Sequence, residues 1–139
     1  MDIIEKFKEM DTTCLSDAMD RMGIRCGCAG ILPVFPGAKA VGTAFTVRYR
    51  PCGTVKGTVG DFLDDVSPGQ VVVIDNGGRT YGTVWGDIMP VYAKKRGVAG
   101  TVIDGVCRDL PRVLEVRYPI FSRGRFMVTG KDRVELDGV

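Results

Sequence analysis

The sequence predicts an α/β protein built on a partly parallel sheet, and three observations carry that prediction. Val71-Val72-Val73-Ile74-Asp75 is a continuous apolar run of the kind found in strands buried on both faces. Thr101-Val102-Ile103 is a second such run and Ile120-Phe121 a shorter third. The stretches between them carry helical signals, so the middle of the chain reads β-α-β-α-β. Buried strands joined by helices imply a parallel sheet with right-handed crossovers.

The elements follow in order. Residues 3–10 read as a short helix. A second helix follows Asp11-Thr12-Thr13, which offers several N-caps; Leu15, Ala18, Met19 and Met22 give it an apolar stripe, and Gly23 stops it. Residues 24–38 read as loop. Ala40 to Tyr49 alternates and is rich in Val and Thr, which predicts a strand. Gly60 to Val66 reads as a short helix and Ser67-Pro68-Gly69 as a turn. Asn76-Gly77-Gly78-Arg79 breaks the strand that begins at Val71. The next helix covers about 87–96: Trp85, Ile88, Met89 and Tyr92 share one face, Lys94, Lys95 and Arg96 suit the dipole of its last turn, and Gly97 ends it. A helix from Asp109 to about Arg117 has Pro111 in its first turn. Two β segments follow, around 126–129 and 133–136.

Composition bounds the chemistry. At 139 residues one domain, 1–139, is expected, long enough for a real core. A net charge of +2 with no run of one sign argues against a nucleic-acid or membrane-surface binder. No stretch approaches the ~18–20 apolar residues that span a bilayer. The five cysteines are odd in number and follow no secretory signal, so a reduced, cytoplasmic setting is expected. Cys26-Gly27-Cys28 lacks a second pair to complete a metal site. There is no histidine, which removes the commonest general base and the commonest ligand for zinc or copper. Carboxylates, arginine, backbone amides and a hard metal ion remain.

Two helix starts stand out. Gly86-Asp87-Ile88-Met89 follows the first buried strand, and Arg108-Asp109 follows the second, with residues 88–107 between Asp87 and Arg108. Parallel strands bring both to the carboxyl edge of the sheet, where ligands of open α/β folds bind. Pro90 has no N–H, so the free amides of the first helix belong to Asp87, Ile88 and Met89, a setting for a carboxylate. Gly86 allows close approach of a ligand. Arg108 offers a planar fork, and Asp109 a hard oxygen for Mg²⁺, with Asp87 able to hold one of its waters. A 2-keto acid suits this set. Asp87 is also a candidate general base. The structural alternative is that Asp87 and Asp109 are only N-caps and that Arg108 pairs with Asp109, Asp104 or a surface carboxylate.

The run Gly86-Asp87, then Ala93-Lys94-Lys95-Arg96-Gly97-Val98-Ala99-Gly100-Thr101-Val102-Ile103-Asp104-Gly105-Val106-Cys107-Arg108-Asp109, resembles the RraA-like family. That family's aldolase signature is an Asp, twenty residues, then Arg-Asp. Leu15–Gly23, Pro36–Ala44, Ser67–Asp75 and Tyr118–Phe121 are similar to it as well. The resemblance implies a swivelling β/β/α sandwich. It implies a metal-dependent lyase, a 4-hydroxy-4-methyl-2-oxoglutarate aldolase that also decarboxylates oxaloacetate and releases pyruvate. By the same resemblance Gly86, Asp87, Ile88 and Met89 bind substrate, Arg108 contacts the pyruvyl portion, and Asp109 binds Mg²⁺ or Mn²⁺. Assembly as a homotrimer or hexamer is implied too. Family members usually continue with further strands, so the chain resembles a shortened member. The family also contains the regulator of ribonuclease activity A, a non-catalytic binder of ribonuclease E, which is the alternative reading.

Overall fold

The computed structural model describes residues 2–53, 57 and 59–139. Contacts divide the chain into two compact units, Met1–Gly30 and Ile31–Val139. The first holds helices α1 (Ile3–Lys8) and α2 (Thr12–Arg21). Asp11 caps α2: its Oδ1 accepts the Cys14 N–H at 2.7 Å and the Thr13 hydroxyl at 2.6 Å. The Cys14 amide, first among these donors, holds the Asp11 carboxyl down at about 2. Gly23, at φ +70°, takes the left-handed conformation that follows a helix end. No residue of α1 or α2 is buried, and Met22 of the expected stripe is 71% exposed.

The second unit is one six-stranded sheet in the order β1-β5-β4-β3-β2-β6. Strands β2 (Ala44–Pro51), β3 (Val71–Thr83), β4 (Gly100–Cys107) and β5 (Ile120–Arg125) run parallel. Helices α3 (Ile88–Lys95) and α4 (Leu110–Val116) make the two crossovers between β3, β4 and β5. The edges are antiparallel: β1 (Leu32–Pro33) on β5 and β6 (Val134–Gly138) on β2. The expected β-α-β-α-β core is therefore present. One sheet face gives Val47, Tyr49, Val72, Ile74, Ile103 and Ile120 to the core, where they join Met89 and Ala93 of α3 and Val113 of α4.

Five local expectations change. The turn at 76–79 does not end the strand. Gly77 and Gly78 take φ +59° and +67°, residues 76–78 bulge out of register, and β3 resumes with Arg79 opposite Gly105 and Thr83 opposite Val106. Asp75 Oδ1 accepts the Gly77 N–H at 2.9 Å, and Arg79 donates to the Asn76 carbonyl at 2.9 Å, so side chains repair the bonds that the bulge breaks. Within 24–38, Leu32 and Pro33 pair with β5; proline is tolerated because this is an edge strand. Of 126–129 only Thr129 bridges, to Thr83, while 60–66 contains a single 3-10 turn at Leu63–Asp65. The apolar face of α3 splits: Met89 and Ala93 are buried, but Ile88 is 74% exposed. Residues i and i+4 face the core here, and Ile88 and Tyr92 line a groove beside α4 instead.

Candidate functional site

The bulge in β3 decides where the site forms. Because β3 continues to Thr83, its end lies beside the end of β4, and the chain reaches Gly86 next to Arg108. The Arg108 N–H donates to the Trp85 carbonyl at 3.2 Å, which joins the two strand ends. Trp85 is fully buried and stacks on Tyr118, ring centres 5.9 Å apart, anchoring this corner in the core.

Here a cleft of 280 Å³ opens. Gly86, Asp87, Ile88, Met89 and Arg108, all singled out from the sequence, line it together with Trp85, Thr83, Val59, Gly60, Thr129 and Lys131. Asp109 lies off the lining but is tied to it. Its backbone is left-handed, φ 58° and ψ 42°, a conformation that costs most side chains but that Asp adopts more readily. That turn sends its carboxylate back to α3, where Oδ2 accepts the Asp87 N–H at 3.0 Å and stands 3.2 Å from Arg108 Nε. It therefore makes no capping bond to α4. A Cβ on Gly86 would stand 3.2 Å from both Arg108 Nε and Asp109 Oδ2, so glycine leaves the room that this pair occupies.

The structure corrects one expectation. The Asp87 amide is taken by Asp109, and the Ile88 N–H donates to Asp87 Oδ1 at 2.8 Å. Two of the three amides read as free for a ligand are thus already held by carboxylates. The local alternative, Arg108 paired with Asp109, is present; Asp104 pairs with Arg123 instead. Cys26 and Cys28 are exposed thiols in the first unit. Lys131, Thr129 and the Val59–Gly60 wall gave no signal in the sequence, since each reaches the cleft only through tertiary packing. Trp85 carries a buried indole N–H with no partner among the described residues.

The donors suit a hard divalent cation. Asp109 Oδ2 meets the Asp87 N–H and Arg108 Nε, and Asp87, tied to it by that bond, carries a second carboxylate. Among the described residues no group of three or more metal-binding side chains is assembled. Mg²⁺ needs none, because it commonly takes one or two carboxylates and keeps several waters. A larger hollow of 420 Å³ lies on β2, β3 and β6, lined by Thr46, Arg48, Val73 and Asp75 among others. It is lined by Arg48, Asp75 and Asp137 but by none of the residues singled out from the sequence, so the smaller cleft, which gathers those residues, is the candidate site. Among the described residues no helix is long and apolar enough to cross a membrane.

Fold and sequence together define the class. Residues 12–138 match the family model RraA-like: Aldolase/RraA, and the chain belongs to the RraA-like family. It is 35% identical over 135 residues to protein DlpA of Legionella pneumophila, covering 95% of this chain and 22% of that protein. It is 34% identical over 131 residues to a Halalkalibacterium halodurans protein named "Putative 4-hydroxy-4-methyl-2-oxoglutarate aldolase", covering 94% of this chain and 60% of that one. A crystal structure of an uncharacterized protein from Pseudomonas syringae pv. tomato superposes with a TM-score of 0.87 at 45% identity, over 97% of this chain and 64% of that one. The chain thus spans less than two thirds of each of these relatives.

Proposed function

We propose that this protein is a divalent-metal-dependent lyase that cleaves a C–C bond of a 2-keto acid and releases pyruvate. The substrate type is that of a 4-hydroxy-4-methyl-2-oxoglutarate aldolase, with oxaloacetate decarboxylation through the same electron flow. The observation that carries this reading is the left-handed turn at Asp109, which brings its carboxylate, Arg108 and the Gly86–Met89 segment to one corner of a cleft. The aldolase name borne by one relative supports it.

Asp109, with Asp87 beside it, would hold Mg²⁺ or Mn²⁺, which when bound supplies Lewis acidity toward the keto oxygen. Arg108 presents its planar fork to the pyruvyl carboxylate and keto group. As the C–C bond breaks, its electrons move toward the keto oxygen, so the Arg108 charge favours the transition state over the ground state. Asp87 is the carboxylate on the cleft lining, and proton movement at the substrate hydroxyl is assigned to it. Gly86 keeps the wall low where the substrate meets Arg108. The active form is a homo-oligomer in the cytoplasm, acting on a small molecule rather than on nucleic acid.

The test is pyruvate release from oxaloacetate and from 4-hydroxy-4-methyl-2-oxoglutarate, with Mg²⁺, with chelator, and with Asp109→Ala. Release that needs metal and is lost in Asp109→Ala supports the lyase. A folded protein that releases no pyruvate refutes it and favours a non-catalytic binding role.

A further inference from the structure

The basic last turn of α3 does more than complement a helix dipole. Arg96 is two-thirds buried, and its guanidinium reaches across to the chain before β3. Nη2 donates to the Asp64 carbonyl at 2.8 Å and to the Val66 carbonyl at 3.2 Å. Nη1 lies 3.9 Å from the Asp64 carboxylate. The guanidinium carbon sits 5.8 Å from the centre of the Tyr92 ring, and the Tyr92 hydroxyl donates to the same Asp64 carboxylate. Arg96 and Tyr92, one turn apart on α3, thus grip a single 3-10 turn.

That turn is continuous with the cleft. The Leu63 N–H donates to Gly60 O, Asp65 N–H to Phe62 O and Val66 N–H to Leu63 O, so three backbone bonds link Gly60 to Val66. Val59 and Gly60 are the cleft wall that faces Met89. The far end of this wall is held separately, by the Tyr49 hydroxyl donating to Val59 O at 2.7 Å. One end of α3 therefore carries Asp87 and Met89 into the cleft, and its other end fixes the opposite wall.

We propose that Arg96, with Tyr92, is a positioning residue that sets the width of the cleft by clamping the Gly60–Val66 wall to α3. It touches no substrate. Its role is to hold Val59–Gly60 at a fixed distance from the Gly86–Met89 segment. Lysine replaces it only in part: it keeps the charge and can reach a carbonyl, but it lacks a planar group that bonds both carbonyls through Nη2 while turning Nη1 to the Asp64 carboxylate and its carbon to the Tyr92 ring. The role in turnover rests on the lyase reading; the clamp itself does not.

The experiment compares wild type, Arg96→Ala, Arg96→Lys and Tyr92→Phe by two readouts. Backbone hydrogen exchange over residues 60–66 reads the clamp directly. Pyruvate affinity in the presence of Mg²⁺, followed by the fluorescence of Trp85, reads the cleft without turnover; Trp85 is the only tryptophan. Losing bonds from a charged donor is expected to speed exchange about tenfold in Arg96→Ala. Pyruvate binding should weaken about threefold to tenfold, KM should rise with it, and kcat should hold within about twofold. Arg96→Lys and Tyr92→Phe should fall between. Unchanged exchange in a folded Arg96→Ala overturns the clamp. Faster exchange with unchanged pyruvate affinity overturns the positioning role. A wild type that binds pyruvate but releases none refutes the lyase while leaving the clamp measurable; one that does neither refutes the lyase and the positioning role, and exchange over residues 60–66 still decides the clamp.

Discussion

Gly86→Ala separates site geometry from fold stability. The added Cβ would meet Arg108 Nε and Asp109 Oδ2 at 3.2 Å each, and Arg108 Nη2 at 3.7 Å. These atoms are ends of side chains rather than backbone, so they would yield by a few tenths of an ångström. Gly86 is not among the glycines at positive φ, so alanine adopts its backbone without strain. Reduced freedom of the unfolded chain stabilises such a change by about 0.4–1 kcal/mol, which offsets the close contact and leaves stability within about 1 kcal/mol of wild type. Activity should respond differently. A misplacement of about 1 Å in a catalytic group costs about a hundredfold, so a shift of a few tenths should lower kcat/KM about threefold to tenfold. The assay is Mg²⁺-dependent pyruvate release beside a urea denaturation curve. Wild-type kcat/KM at wild-type stability would refute the claim that the Arg108–Asp109 pair is poised for chemistry. A loss of several kcal/mol would show instead that the corner is structural.

Three further outcomes are expected. In Gly130→Ala the new Cβ would lie 2.2 Å from the Thr83 carbonyl oxygen, so backbone must move; urea denaturation should show a loss of about 1–3 kcal/mol or more. Burial is the first cause pushing the Tyr49 and Tyr118 phenols above their ordinary value of 10.0. Above about pH 10 only the unfolded chain releases these protons, so this contribution is full below that pH and should fall as pH rises, by about 1.4 kcal/mol per unit for each tyrosine; Tyr49→Phe should remove one tyrosine's share of the slope in denaturation at graded pH. Arg108→Lys keeps the charge but loses the fork, and pyruvate release should drop about a hundredfold while circular dichroism stays that of wild type.

What the sequence showed follows from what each signal measures. Apolar runs report burial, and Val71–Asp75 and Thr101–Ile103 do take the centre of the sheet, but only one face is closed: Val72, Ile74, Thr101 and Ile103 are buried, whereas Val73 and Val102 on the other face are half-buried and Asp75 is exposed. Turn residues report only local backbone freedom. Asn76-Gly77-Gly78-Arg79 looks like a strand end, yet the neighbouring strand β4 and the Asp75 and Arg79 side chains carry β3 through it as a bulge. Without that continuation Gly86 would not lie beside Arg108. The spacing from Asp87 to Arg108 brings the two residues to one cleft because one helix and one strand separate them. The opposite wall, Val59–Gly60 with Thr129 and Lys131, comes from segments brought in by packing, and no local pattern announces them. Arg96 was read as a dipole partner for the same reason: the carbonyls it grips lie thirty residues earlier in the chain.

On the proposed reading Asp109 serves both fold and site, and two substitutions there part its roles. The left-handed backbone at φ 58° suits Asp and Asn, whose short polar side chains are tolerated there, and costs an alanine roughly 1–2 kcal/mol. The carboxylate also accepts the Asp87 N–H at 3.0 Å, a charged hydrogen bond worth about 1.5–3 kcal/mol. Asp109→Asn keeps the backbone preference and an oxygen for that N–H but loses the charge a divalent cation needs. It should melt within a few degrees of wild type, show none of the rise in melting temperature that Mg²⁺ is expected to give the wild-type protein, and release no pyruvate. Asp109→Ala should lose the same activity and, in addition, stability in proportion to both the strained turn and the orphaned amide. Equal stability of the two variants would mean that the turn at Asp109 is held by β4 and α4 alone. Retained Mg²⁺ stabilisation in Asp109→Asn would move the cation away from this carboxylate and leave it a purely architectural group.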